Sequence, residues 1–232
     1  MGKETVKAVQ QETDFTIVAQ LEHKDDLAAA ISNHQAEIVI DFTSAEAVFD
    51  NALTIIESGA HPVIGTTGLL PQQIKELQKR SAEKKLGGII APNFSISAVL
   101  MMRFAREAAR YLPHVEIIEL HHDGKLDSPS GTAIKTAEMI AETRDARVIF
   151  NHNGVKETIP GARGALHHGI PIHAIRLPGI VANQEIIFGG KSETLEISHT
   201  SIHREAFMPG VILACRKVTH LDHLVYGLEN IL

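Results

Sequence analysis

The sequence predicts the α/β class: a parallel sheet flanked by helices over the first 94 or so residues, then a second region of α+β character. Three observations predict it. Up to about residue 94, continuous apolar runs of strand length alternate with amphipathic runs of helix length. From about residue 95 a long helical run gives way to long extended ones. The 232 residues, 44% of them hydrophobic, suffice for two modest cores.

Each element has a local reason. FTIVAQLE (15–22) reads as the first visible strand and DDLAAAIS (25–32) as a short helix. AEIVIDFT (36–43) is a continuous apolar strand with a polar end. SAEAVFDNALTIIESG (44–59) opens on a serine suited to capping a helix and closes on glycine. HPVIGTTG (61–68) is a strand running into a glycine turn, and LPQQIKELQKRSAEKK (70–85) is an amphipathic helix with proline near its start. GGIIAPNF (87–94) is another buried strand. Beyond it, 95–112 reads as a helix, 115–122 as a strand and 131 to about 143 as a helix. IPIHAIRLPGIVANQEIIFGG and KSETLEISHTSI are extended, joined through GGKS as an antiparallel hairpin. Residues 204–218 are helical, and the tail is expected to return to the first domain. The division is therefore 1–94 with 205–232, and 95–204.

Composition narrows the function classes. The formal charge is −6, from 22 Lys+Arg and 28 Asp+Glu, and no basic stripe argues for nucleic acid. No apolar run approaches the roughly 20 residues of a membrane helix, so no membrane is expected. The N-terminus MGKETVKAVQQETDF has no apolar signal-peptide core. Cys215, the single cysteine, cannot form an internal disulfide and lies in the apolar run VILACRKV, so it reads as core. A cytoplasmic location is the default.

Ligands of a parallel sheet gather at the carboxyl ends of its strands, here LEHK, DFTS, GTTG and APNFS. The turn at 65–68 can present N–H groups to a nucleotide; an ordinary turn is an equal reading. Glu22 sits where an acidic residue commonly takes the adenine ribose of NAD, while His23 and Lys24 favour the 2′-phosphate of NADP. A solvated strand end is the plain alternative. The segment ELHHDGKLDSPSGTA (119–133) gathers more chemistry. Pro129-Ser130-Gly131-Thr132 opens a helix whose N–H groups form an anion site. Gly131 allows a ligand close to the backbone, and Lys125 adds a positive charge. His121 and His122 point to opposite faces if the strand persists, so one of them faces the chemistry. A carboxylate or phosphate beside a proton donor fits this set. For Ser130 taken alone, a simple helix cap is the better reading. His167-His168, with His173, His199 and His203, raises a zinc reading, but no spacing such as His-Glu-x-x-His is present and no metal is expected.

ELHHDGKLDSPSGTA resembles the signature of the dihydrodipicolinate reductases (4-hydroxy-tetrahydrodipicolinate reductases). DFTSAEAV, GTTG and APNFSISAVL resemble the same family in order and spacing. The resemblance implies a Rossmann-like nucleotide-binding domain plus an α+β substrate and tetramerisation domain with a mixed sheet. It implies NADH- or NADPH-dependent reduction of a cyclic dicarboxylic imine in the diaminopimelate route to lysine. It implies His121 as proton donor and acceptor and Lys125 as proton donor, with His122, Ser130, Gly131 and Thr132 at the substrate carboxylates. Gly65, Thr66, Thr67, Ala91, Pro92, Asn93 and Phe94 would contact the cofactor, with Glu22 and His23 at its adenosine ribose. The implied assembly is a homotetramer formed through the second domain's sheet.

The chain departs from that pattern at its start. The family opens with a strand and a loop of the form Gly-x-x-Gly-[Arg/Lys]-Met-Gly; here Met1-Gly2 match the loop's last two residues, and the helix KETVKAVQQ follows. Met1 and Gly2 are thus the cofactor-loop candidates, and no Gly-x-Gly-x-x-Gly occurs. Without a central first strand, its two neighbours are expected to keep unpaired edges. The cofactor's pyrophosphate is expected to lose much of its binding. The expectation is weak dinucleotide binding with an intact substrate region. The alternative reading is a non-catalytic, dicarboxylate-binding protein.

Overall fold

The computed structural model describes residues 1–145 and 156–232, which form two compact units, 1–96 with 204–232 and 97–203. Residues 146–155, part of the expected second domain, lie outside the described residues.

The first unit holds a parallel sheet of β1 (Ile38–Asp41), β2 (His61–Ile64), β3 (Gly88–Ile90) and β9 (Leu224–Tyr226), in that order. Its helices are α1 (Gly2–Val9), α2 (Leu27–His34), α3 (Val48–Glu57), α4 (Pro71–Glu83) and α7 (Met208–Val218). Asp26 caps α2 by accepting the Ala29 N–H at 3.0 Å, and α4 starts on Pro71 with the Gln73 side chain accepting the Leu70 N–H. Val48, Ala52, Ile55 and Ile56 form the buried stripe of α3, at helical spacing. They pack with Ile64, Leu77, Ile90 and Leu224 into one core.

Two expectations need correction. The helix expected from Ser44 begins at Val48: residues 44–47 make a turn in which the Ser44 carbonyl, not its hydroxyl, accepts the Ala47 and Val48 N–H groups. The run 15–22 is not a strand. Among the described residues it joins no ladder, and Val18 and Leu21 are 45% and 42% exposed. Composition prepares a segment for a sheet, but only a hydrogen-bonding neighbour makes it a strand. β1 shows the same deficit: Ile38–Ile40 are half-buried, whereas Pro62–Ile64 and Gly88–Ile90 are buried.

The second unit holds a mixed sheet of β5 (Ala165–His167), β6 (Ile170–Arg176), β4 (His114–His121), β7 (Ala182–Gly190) and β8 (Glu193–Ser201), in that order. β4 is central, parallel to β6 and antiparallel to β7. Lys191-Ser192 closes the β7–β8 hairpin, with Ser192 at φ 66. Helices α5 (Ile96–Ala108) and α6 (Gly131–Ala141) complete the unit. On α6, the Thr136 hydroxyl donates to the Thr132 carbonyl and accepts from Gln184 of β7, each at 2.7 Å. This pins the helix to the sheet.

Candidate active site

Alternation along β4 buries Val115, Ile117 and Glu119 on one face and puts His121 on the same face. Glu119 is completely buried. Its carboxylate meets the His121 Nδ1 at 2.5 Å and receives both terminal nitrogens of Arg176 at 2.8 and 2.9 Å. The Ser130 N–H donates to it at 3.2 Å. Arg176 is the register partner of His121 on β6, and it also donates to the Asp127 carbonyl at 2.7 Å. Burial pushes the Glu119 carboxyl up, but hydrogen bonds and charge from His121 and Arg176 outweigh it and hold the group at about 2. Glu119 is therefore an acceptor at neutral pH. The His121 Nδ1 must carry a proton toward it, which leaves Nε2 as the nitrogen that exchanges protons.

This pairing has an acid signature. Glu119 is held at about 2 in the fold against an ordinary 4.5. A depressed carboxyl stabilises above its unfolded value, and the gain disappears as pH falls through its folded one. Denaturant midpoints are expected to fall between about pH 4.5 and pH 2, with a shallower slope in Glu119→Gln. Equal slopes in the two proteins would contradict the assignment.

The two histidines diverge beyond the strand. The His122 carbonyl accepts the Lys125 N–H at 3.1 Å and closes a turn. Lys125 is paired: its ammonium meets both Asp127 oxygens, at 2.6 and 2.9 Å. Ser130 is 2% exposed and its hydroxyl caps α6 through the Ala133 N–H at 3.2 Å. In front of Gly131 the space is open, since a Cβ there would meet nothing within 4 Å. Thr132 follows it at the head of the helix.

In the first unit, Met1, Phe42–Ala45 and Gly65–Thr67 line a cleft of ≈ 310 Å³ at the carboxyl ends of β1 and β2. Its floor rests on buried Asp41, whose side chain accepts from Thr43 N–H (2.9 Å) and hydroxyl (2.8 Å), Asn51 (2.8 Å) and the Thr66 hydroxyl (2.6 Å). Phe42 packs edge-on against Phe94, 5.9 Å between centroids. Ala91 is tied to β2 through the Ile64 carbonyl, Pro92 follows, and the Asn93 side chain accepts the Ser95 N–H. A Cβ at Gly210 of α7 would lie 2.0 Å from the Phe94 carbonyl oxygen, so glycine lets α7 back onto this turn. The Met1 carbonyl heads α1 and Gly2 follows in open space. Glu22 and His23 are exposed and lie outside the cleft lining, in a turn where the Asp25 carboxylate accepts the Glu22 N–H at 2.6 Å.

Gly65 is needed for the cleft's shape. A Cβ there would stand 2.0 Å from the Phe42 ring. Gly65→Ala is expected to displace Phe42 and destabilise by about 1–3 kcal/mol. Thermal melts check this, and an unchanged melting temperature would refute it.

The five histidines of the zinc reading do not converge. His173 bonds Glu116 at 2.7 Å, His199 lies within β8 and His203 follows that strand. His167 and His168 lie instead beside Glu138 of α6. Cys215 is buried, which pushes its thiol up to about 12 and makes it inert core. Sequence reasoning missed the roles of Glu119, Arg176 and Asp41. The signal for Arg176 was an arginine inside an apolar extended run, which needs a buried carboxylate partner.

Models of the dihydrodipicolinate reductase N-terminus and C-terminus match residues 1–94 and 97–232. The chain belongs to the dihydrodipicolinate reductase family. The 4-hydroxy-tetrahydrodipicolinate reductase of Legionella pneumophila (strain Paris) is 53% identical over 232 residues, covering 100% of this chain and 95% of the relative. That of Coxiella burnetii (strain Dugway 5J108-111) is 52% identical over the same span. A dipicolinate-bound dihydrodipicolinate reductase from Paenisporosarcina sp. TG-14 superposes with a TM-score of 0.89 at 43% identity, over 100% of this chain and 95% of its own. As a dihydrodipicolinate reductase family member, the chain is an NAD(P)H-dependent oxidoreductase with a Rossmann-type unit for a nicotinamide nucleotide.

Proposed function

We propose that this chain reduces the cyclic imine dihydrodipicolinate, formed from 4-hydroxy-tetrahydrodipicolinate, to tetrahydrodipicolinate in the diaminopimelate route to lysine, using NADH or NADPH. The observation that carries this is an imidazole oriented by a buried carboxylate at a helix N-terminus whose first residue, Gly131, faces open space. One short segment thus joins a proton donor to a carboxylate site.

When bound, the nicotinamide nucleotide supplies the hydride. The chain's own residues do the rest. Reducing a conjugated imine leaves an electron-rich enamine that takes a proton. His121 Nε2 delivers it while Nδ1 stays on Glu119; Lys125, its ammonium steadied by Asp127, is the alternative donor of that one proton. His122, Gly131 and Thr132 hold the substrate carboxylates, with Ser130 acting through its cap. The cleft of the first unit fits the nicotinamide end: Gly65, Thr66 and Thr67 line it, and the Ala91–Phe94 turn (Ala91, Pro92, Asn93, Phe94) backs Phe42. Met1 and Gly2 take the phosphate side, and Glu22 with His23 the adenosine ribose. Glu22 favours NADH, and the His23-Lys24 pair favours NADPH. In this reading residues 1–94 with 205–232 are the nucleotide domain and 95–204 the substrate domain. A homotetramer through the second unit's sheet is supported by the largely exposed β8. A cytoplasmic setting is supported by the lone buried thiol of Cys215.

Among the described residues 15–22 joins no ladder, which favours a second reading, a dicarboxylate binder with impaired nucleotide binding. Calorimetric titration with NADH, then NADPH, with and without pyridine-2,6-dicarboxylate, separates the two. Nucleotide binding strengthened by the dicarboxylate supports the reductase. Dicarboxylate binding with no nucleotide binding supports the second reading and removes the first.

A further inference from the structure

Among the described residues, the proposed reductase chemistry leaves one cluster of ligand-type side chains unused. Glu138, His167 and His168 bring one carboxylate oxygen and two imidazole nitrogens within 4.8 Å of one another. Glu138 lies seven residues along α6 from Gly131, about 10 Å down the helix axis, so the cluster is separate from the substrate end. His167 ends β5, and its Nε2 is shielded from solvent with no hydrogen-bond partner among the described residues. That nitrogen stands 3.7 Å from the Glu138 Oε1. This is too long for a hydrogen bond and close to the separation of two ligands on one ion with bonds of about 2.0–2.2 Å. His168 holds a left-handed backbone, φ 50, which stacks its ring edge-on against His167 with 4.4 Å between centroids. Arg144 fixes this turn by donating to the His168 and Gly169 carbonyls, at 3.0 and 3.4 Å.

We propose that Glu138, His167 and His168 form a binding site for a late first-row divalent cation, Zn²⁺ being the representative ion. Two imidazoles and one carboxylate are a three-ligand set that leaves one position for water. Imidazole selects zinc, nickel or copper over magnesium and calcium, which take oxygen ligands. Glu138 is 42% and His167 36% exposed at the side chain, so an ion can enter from solvent. Bound there, it would join the β5–β6 turn to α6.

The test uses the untagged full chain, stripped with a chelator and titrated calorimetrically with Zn²⁺. The expected result is one equivalent bound, with affinity at least about tenfold weaker in His168→Ala and in Glu138→Gln. Both positions are solvent-accessible, so these variants are expected to fold. Zinc should raise the melting temperature of the parent chain and not of the variants, and without zinc all three should be equally active. Equal zinc affinity in parent and variants would place binding on other histidines and overturn the site. Failure of the parent chain to bind at about 100 µM Zn²⁺ would leave the cluster an ordinary histidine–carboxylate ion pair, overturning it equally.

Discussion

Glu119→Gln is expected to lower kcat by up to about 10⁴, the loss seen when a carboxylate that orients a working imidazole loses its charge. Glutamine can still accept from the His121 Nδ1, but it no longer fixes which nitrogen carries the proton, nor supports the charged ring. Stability should fall as well, by about 3 kcal/mol, because Arg176 is 18% exposed and would lose its countercharge. Glu119→Gln/Arg176→Met separates the two effects. Removing both charges should restore much of the stability while kcat stays low and its pH profile stays altered. If activity returns together with stability, Glu119 is merely structural.

Gly131→Ala should move stability and activity in opposite directions. The space before Gly131 is open and its φ lies outside the left-handed region, so alanine fits the fold. It should stabilise by about 0.4–1 kcal/mol by restricting the unfolded chain. The added methyl occupies the space assigned to a substrate carboxylate. A displacement of about 1 Å can cost roughly 10²-fold in kcat/KM. A raised melting temperature with a large loss of kcat/KM is the expected pair. Retained kcat/KM would move the carboxylate site elsewhere.

Local order was legible wherever local physics decides it. The parallel sheet, the Pro-led α4 and the helix opened by Ser130 follow from periodicity and cap chemistry. The run 15–22 was misread because strand character belongs to a pair of segments, not to one. Within the site, the histidines and the helix start lie in one quotable stretch. Glu119, which orients His121, opens that stretch, but the partners that fix the carboxylates do not lie in it: Arg176 reaches Glu119 across 57 residues of chain, and Thr66 reaches Asp41 across 25. Such partners become visible only when strands are laid side by side. Lys125 shows the converse: the sequence offered a positive charge beside the helix start, and the fold pairs it with Asp127.

The double anchoring of Glu119 also bears on how such a protein can change over generations. The same carboxylate steadies the imidazole, neutralises Arg176 and receives the backbone of Ser130. A lineage that discards Glu119 first strands a half-buried cation, and one that discards Arg176 first leaves a buried carboxylate short of its main counterion. Either single step passes through a less fit intermediate. The pair should therefore persist together or vanish together, even in descendants that no longer perform any reduction.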